Sequence, residues 1–125
     1  MEEEFIEIDF ILSLLKPNAQ KIFNEVILAR KNKMWSTTIV FSLAILDNIF
    51  NDEEYLEFVS GLDVNEVKFS KEIGWLRKKR NEILHYENPE HKITSIILTD
   101  HDLKLDSEKA YNILIKNLIF LFPKQ

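Results

Sequence analysis

Apolar residues recur every three or four positions along much of the chain, which is the spacing of one face of an α-helix. The first such set is Phe5, Ile8, Ile11, Leu12 and Leu15. Pro17 is expected to break or kink the chain after it. A second helix is predicted from Ala19 to about Lys31, because its basic end, residues 30–33, suits a helix C-terminus. The pattern therefore begins as two consecutive helices.

The segment from Trp35 to Phe50 is apolar on nearly every side, which predicts the central helix of a bundle. Asp47 is a carboxylate inside that apolar run. One interpretation places it at the edge of the apolar stripe, in contact with water. The other makes it the acidic partner of a cation buried elsewhere in the fold.

The second half of the chain predicts further helices. A short helix is expected at residues 53–59, and a long one from Asn65 to Glu87, ended by Asn88 and Pro89. Residues 89–106 are polar around a short apolar patch and fit either a loop or a short strand. Asp106 or Ser107 is expected to cap a last helix that runs to about Phe122.

These elements predict an all-α fold, a four- to five-helix up-and-down bundle, in which residues 1–125 form one domain. The absence of cysteine excludes disulfides, thiol catalysis and cysteine-ligated metals. A net charge of −5 argues against a uniformly basic nucleic-acid coat, although a local basic groove remains compatible with it. No signal peptide or membrane span is evident, so we expect a cytoplasmic protein without a membrane partner. No phosphate loop or other cofactor motif is found, so no cofactor is expected.

Arg80 is the most unusual residue of the long predicted helix. It falls near the centre of an apolar stripe formed by Phe69, Ile73, Leu76, Ile83 and Leu84. A guanidinium on a buried face needs an anionic partner, because burying an unpaired charge is costly. That partner is either Asp47 or another internal carboxylate, or an anionic substrate in a cleft at a subunit interface.

Two polar residues follow Arg80 on the same helix. Asn81 and His85 are four residues apart and can face each other. Arg80 and His85 are five apart, which places them about 140° from each other around the helix. They converge only through the length of the arginine, a distorted helix end before Pro89, or a second subunit. Taken alone, a histidine near a helix C-terminus is more often a cap than a catalyst.

Arg80, Asn81 and His85 together resemble the HEPN superfamily, whose signature is R-x(4–6)-H with a polar residue, often asparagine, directly after the arginine. The apolar segment that contains Leu46 and Asp47 also resembles the helix of that family that ends in an apolar–acidic pair. The resemblance implies a HEPN-like helical bundle that spans nearly the whole chain.

The resemblance further implies a metal-independent endoribonuclease of toxin–antitoxin or phage-defence type, which acts on RNA as a homodimer. His85 would then be the general acid or base, Arg80 would stabilise the phosphate, and Asn81 would orient His85 or the phosphate. Arg77, Lys78 and Lys79 would add local positive charge for RNA binding. They are equally well explained as a solvated helix face.

One position departs from the branch of the family that pairs with nucleotidyltransferase-like antitoxins. That branch often has a tyrosine two residues after the histidine, whereas here Glu87 is at that position and the tyrosine, Tyr86, is adjacent. The departure favours an abortive-infection-like branch. The alternative function is a catalytically silent helical module that binds a partner protein or a nucleotide. His85, His91 and His101 lack zinc-like spacing, so no metal site is predicted.

Overall fold

The structure, a computed structural model, describes residues 2–85 and 100–122. This part of the chain forms six α-helices and one 3-10 helix, with no strand, which confirms the predicted all-α bundle. The α-helices are α1 (Glu2–Leu14), α2 (Pro17–Lys31), α3 (Trp35–Phe50), α4 (Gly61–Lys68), α5 (Lys71–Leu84) and α6 (Asp100–Leu121). The 3-10 helix spans Glu53–Glu57. None of the helices described here is both long enough and apolar enough to cross a bilayer.

Helix α3 lies at the centre of the bundle, as its sequence predicts. It packs against α2, α5 and α6, and more lightly against α4 and the 3-10 helix. Leu43, Ile45 and Leu46 are completely buried although they point in different directions around the helix axis. Each such side chain contributes about 1.5–3 kcal/mol relative to an exposed one. The burial of α3 therefore organises the core.

The 3-10 helix is fastened to the joint between α1 and α2. The buried hydroxyl of Tyr55 accepts a hydrogen bond from the backbone N–H of Lys16 at 2.7 Å. The Lys16 ammonium lies 2.5 Å from Asp52 and 3.0 Å from Glu54. Its hydrogen bond holds the pKa of Asp52 below the usual value, and burial raises the pKa of Tyr55. These contacts hold the 3-10 helix to the residue that precedes Pro17.

The single long helix predicted from Asn65 to Glu87 is wrong, because the chain forms two shorter helices there. Helix α4 ends at Lys68 and α5 begins at Lys71. The hydroxyl of Ser70 caps α5 by accepting a hydrogen bond from the backbone N–H of Ile73 at 3.3 Å. The apolar spacing concealed the break, because buried residues recur at helical intervals on both sides of it.

The predicted start of the last helix is also wrong. Helix α6 begins at Asp100, before Asp106 and Ser107. Ser107 lies inside the helix, where it is buried and donates its hydroxyl hydrogen to the carbonyl of Lys104 at 2.8 Å. Leu103, one turn earlier, packs against the core and extends the buried face of α6. The apolar patch at residues 93–98 lies outside the described residues.

The apolar stripe predicted around Arg80 is only partly correct. Ile73 and Leu76 are fully buried, and Ile83 packs against the core. Phe69, in contrast, is 78% exposed and Leu84 is 55% exposed. Phe69 stands in the break between α4 and α5, outside the period of either helix. The buried face of α5 is therefore shorter than predicted.

Helix α2 ends in a tight turn at Lys33. The N–H of Met34 bonds to the carbonyl of Ala29 at 2.8 Å, and the N–H of Lys33 bonds to that of Arg30 at 3.2 Å. This pair of hydrogen bonds defines a Schellman motif, which requires a left-handed residue after the helix. Lys33 has that conformation, with φ of 58°. Glycine adopts it without the steric cost that a Cβ imposes.

We expect Lys33→Gly to raise the free energy of unfolding by about 0.5–1 kcal/mol. A left-handed conformation costs a non-glycine residue about 1–2 kcal/mol, and the added flexibility of glycine in the unfolded chain offsets only part of that gain. Urea denaturation measures the difference. Lys31→Gly is the matched control, because it removes the same charge from a helical position and should cost about 1 kcal/mol. Destabilisation by both variants would contradict the expectation.

An ion pair connects the first turn of α5 to α6. The Lys116 ammonium lies 2.6 Å from Glu72, and the buried amide of Asn117 donates to the same carboxylate at 3.4 Å. The hydrogen bond from Lys116 holds the pKa of Glu72 below its usual value of 4.5, although burial opposes the shift. The ionised carboxylate therefore stabilises the contact between these helices.

The pH dependence of stability follows from the lowered pKa of Glu72. Its contribution to the free energy of unfolding is complete above pH 4.5 and is lost as the pH falls through the lower pKa of the folded state. Glu72→Gln should therefore lose stability less steeply than wild type on acidification below that pH. Chemical denaturation at a series of acidic pH values measures the slope. Glu25→Gln, at an exposed glutamate of α2, should retain the wild-type slope.

Candidate functional site

Two arginines of α5 meet Asp47 of α3. Arg77 approaches most closely, with its Nη2 atom 2.8 Å from Oδ1 and its Nη1 atom 3.4 Å from Oδ2. The Nη1 atom of Arg80 lies 3.7 Å from Oδ2. Asp47 is therefore an ion-pair partner inside the fold, and its closest partner is Arg77. The partner predicted for Arg80 was an internal carboxylate or an anionic substrate, and the single chain provides an internal carboxylate, Asp47.

Arg80 is further held by its sequence neighbour. The side-chain oxygen of Asn81 accepts hydrogen bonds from Nε of Arg80 at 3.3 Å and from Nη2 at 3.1 Å. The Asn81 side chain is thus directed to Arg80 by its oxygen, rather than forming the pair with His85 that the four-residue spacing suggested. The Arg80 side chain is 30% exposed, so Asp47 and Asn81 orient its guanidinium while part of the side chain faces solvent.

His85 ends α5. Its backbone N–H closes the last helical turn on the carbonyl of Asn81 at 2.9 Å, and its φ of −125° departs from helical geometry. The residue is exposed. Along the helix axis, His85 lies about 7.5 Å beyond Arg80, at 1.5 Å per residue. Arginine and histidine therefore occupy one end of α5, both accessible to a ligand, but on different sides of the helix.

The remaining basic residues of the run differ in their surroundings. Lys78 is exposed. Lys79 lies 3.1 Å from Asp106 on α6 and 3.4 Å from Glu82. Burial lowers the pKa of Lys79, but the hydrogen bonds and attraction of Asp106 and Glu82 outweigh burial and raise it. Its ammonium is therefore a cross-link between α5 and α6.

Residues outside this cluster add little to it. Tyr86 and His91 lie outside the described residues, and His101 is exposed on α6. Over residues 2–85 and 100–122, no three histidine, aspartate or glutamate side chains come close enough together to hold a metal ion.

A cavity of about 570 Å³ adjoins the arginine cluster, and sequence reasoning did not find it. Asp47 and Asn51 of α3 line one side, and Gly74 and Arg77 of α5 line another. The junction between α4 and α5, residues 68–70, completes the lining. The signal that could have revealed it is Ser70, a favourable cap residue followed by an acidic first turn, which marks a helix start.

The geometry predicts unequal coupling of Asp47 to its two arginines. In double-mutant cycles, Asp47→Asn with Arg77→Gln should give a coupling energy of about 0.5–1 kcal/mol, reduced by solvent screening of a partly exposed pair. Asp47→Asn with Arg80→Gln should give less, since that contact is longer. Urea denaturation of each set of single and double variants measures both values. An equal or larger coupling to Arg80 would contradict the observed geometry.

Comparison of the chain with protein-family models, with curated proteins and with solved structures finds no significant match.

Proposed function

We propose that the protein is a metal-independent endoribonuclease of HEPN type, with Arg80 and His85 as its catalytic residues. The observation that carries the proposal is the arrangement of Arg80. Asp47 and Asn81 fix its guanidinium at the accessible end of α5, one and a half turns before the exposed His85. A planar guanidinium of fixed orientation suits the recognition of a phosphate.

The proposed reaction uses the substrate's own nucleophile. The ribose 2′-hydroxyl attacks the adjacent phosphorus, the bond from phosphorus to the 5′-oxygen breaks, and the products end in a 2′,3′-cyclic phosphate and a 5′-hydroxyl. His85 takes the proton from the 2′-hydroxyl or gives one to the leaving oxygen, a role that imidazole fills near neutral pH. Arg80 offsets the negative charge that develops on the phosphate.

The proposed active unit contains two copies of the chain. Arg80 and His85 are about 140° apart around α5, so one copy directs them to different sides. A two-fold axis beside the ends of two α5 helices would bring both kinds of side chain to one cleft, because such an interface is made of the same surface patch twice. RNA in the cytoplasm is the proposed substrate. The toxin–antitoxin form of the proposal includes a nucleotidyltransferase-like antitoxin as the partner, although Glu87 departs from the pattern of the branch that has such partners.

A second candidate is a catalytically silent module that binds a partner protein or a nucleotide. The observation that favours it is the engagement of Arg77 and Arg80 by Asp47 and Asn81. Arginines that pair with side chains of their own chain can serve as structural links between α3 and α5 without binding a phosphate. The two candidates differ in whether RNA is cleaved.

Purified wild-type protein should cleave end-labelled single-stranded RNA in the presence of a chelator and leave 2′,3′-cyclic phosphate ends. His85→Ala and Arg80→Ala should each reduce the cleavage rate by about 100-fold or more, because the first removes a general acid or base and the second removes the group that offsets charge on the phosphate. Gel analysis of the products under single-turnover conditions measures the rates.

His101→Ala is the matched control, because it removes an exposed histidine from α6 and should leave the rate unchanged. Circular dichroism and the mass in solution establish that each variant retains the wild-type fold and assembly. Cleavage by His85→Ala at the wild-type rate would contradict the proposal. A folded, dimeric wild type that cleaves no RNA would favour the silent module.

A further inference from the structure

The cavity between α3 and the junction of α4 and α5 combines features of a nucleotide site. Its volume of about 570 Å³ falls within the range of about 300–1,000 Å³ that is usual for small-molecule pockets. It lies at the N-terminal end of α5, where Ser70 caps the helix and the helix dipole is positive. Aromatic, cationic and carboxylate side chains all line it. A site for a purely apolar ligand would need no charged side chains.

Positive charge prevails in the lining. Lys68 and Arg77 are its cations and Asp47 is its only acidic residue, in a protein whose net charge is −5. Asp47 accepts two of the five N–H groups that a guanidinium carries, so three more belong to Arg77. Asp47 therefore orients Arg77 without using all of its donors. The local charge suits a phosphate and the carboxylate suits a hydroxyl or amino group.

Phe69 supplies an aromatic surface at the same place. Its side chain is 78% exposed, an unfavourable position for a ring of this size, and it lines the cavity beside the cations. The Lys68 ammonium lies 5.6 Å from the centre of the ring. Aromatic side chains next to basic groups are the usual means by which proteins hold single-stranded nucleic acid, by stacking on a base and pairing with the phosphate.

Gly74 keeps one wall of the cavity open. A Cβ atom placed on Gly74 meets no heavy atom within 4 Å, so a side chain there would extend into open space rather than into the protein. Glycine is a poor residue for the interior of α5, where it costs about 1 kcal/mol relative to alanine. A larger residue at this position therefore provides a test that occupies the cavity without disturbing the core.

We propose that this cavity binds one nucleotide of a single-stranded RNA, with the base stacked on Phe69 and the phosphate held by Lys68 and Arg77. Arg77 precedes His85 by about 12 Å along α5 and the start of the helix precedes it by about 21 Å, so the nucleotide bound here lies away from the scissile phosphate. The inference deepens the proposed function, on which it rests for its substrate class. The site is tested by RNA binding rather than by RNA cleavage, so the proposed site and the proposed ribonuclease function can fail independently.

The first experiment measures binding of a fluorescent single-stranded oligoribonucleotide to the His85→Ala protein, which leaves the probe uncleaved. Phe69→Ala should weaken binding about tenfold, as expected for the loss of one base stack. Gly74→Gln should weaken it at least as much by occupying the cavity. Asn24→Gln, which places the same side chain at an exposed position of α2, is the control and should bind as the parent does.

The second experiment varies the salt concentration. Lys68→Gln should reduce the slope of log K against log salt by about 0.7, the value for one phosphate contact on a single strand. Lys21→Gln, at an exposed lysine of α2, should leave the slope unchanged. A nucleoside 5′-monophosphate serves as the competitor. Its binding to the parent protein, and its loss in Gly74→Gln, would support the site and show that a free nucleotide also occupies it.

Unchanged affinity in Phe69→Ala and Gly74→Gln, with both variants folded, would overturn the proposed site. So would a change in oligomeric mass on Phe69→Ala without a change in RNA affinity, since the ring would then belong to a protein interface. If the cavity variants lose RNA affinity but the wild type cleaves nothing, the site stands and the ribonuclease function fails. If the wild type cleaves RNA and the cavity variants have an unchanged KM, the ribonuclease function stands and the proposed site fails.

Discussion

Helix α3 is apolar on nearly every side, and it must therefore be covered by other helices all along its length. Helices α2, α5 and α6 provide that cover. The one acidic residue of α3, Asp47, lies at the edge of the covered surface, where water alone does not solvate it fully. Burial of a carboxylate is tolerated only when a cation meets it. The position of α5, with Arg77 and Arg80 directed at Asp47, follows from that requirement.

The proposed chemistry depends on the same contact. Arg80 is presented at the end of α5 because its guanidinium is held from two directions, by Asp47 on the neighbouring helix and by Asn81 on its own. Arg77 is held by both carboxylate oxygens of Asp47 and lines the cavity. One carboxylate therefore orients two cations toward two parts of the surface. The ion pair that fastens α5 to the core also gives that helix its capacity to bind an anion.

The sequence predicts the interior of this protein better than its junctions. The limits of α3 were predicted correctly, because an apolar run of that length in a helical bundle forms a central helix that other helices cover. The break at Ser70 was missed because Phe69 lies four residues before Ile73, so the apolar spacing of the sequence continues across the break although the helix does not. The early start of α6 was missed because Asp106 and Ser107 have the chemistry of caps but serve instead as a cross-link and an internal hydrogen-bond donor.

The sequence predicts the site only as far as a buried charge requires a partner of opposite charge. A cation on a buried face required an anion, and Asp47 was the candidate inside the apolar run. Sequence spacing did not show that Arg77 approaches Asp47 more closely than Arg80 does, since that depends on the separation of α3 and α5. Nor did it show the cavity, which lies between α3 and the junction of α4 and α5. The resemblance to the HEPN superfamily remains a hypothesis carried by Arg80, Asn81 and His85.

The internal pairing of the basic run has a kinetic consequence. Arg77 and Arg80 share the carboxylate of Asp47 and Lys79 is paired with Asp106, so part of their charge is offset within a protein whose net charge is −5. At low ionic strength, where the Debye length is long, an approaching polyanion therefore meets the repulsive field of the net negative charge and is not steered toward α5. Added salt would screen that repulsion and speed the encounter, while it weakens the short-range contacts that form afterwards. Association and dissociation rates with a polyanion would then both rise with ionic strength. The association rate rises because salt screens the net charge of the whole molecule, and the dissociation rate rises because salt weakens the contacts of a few side chains.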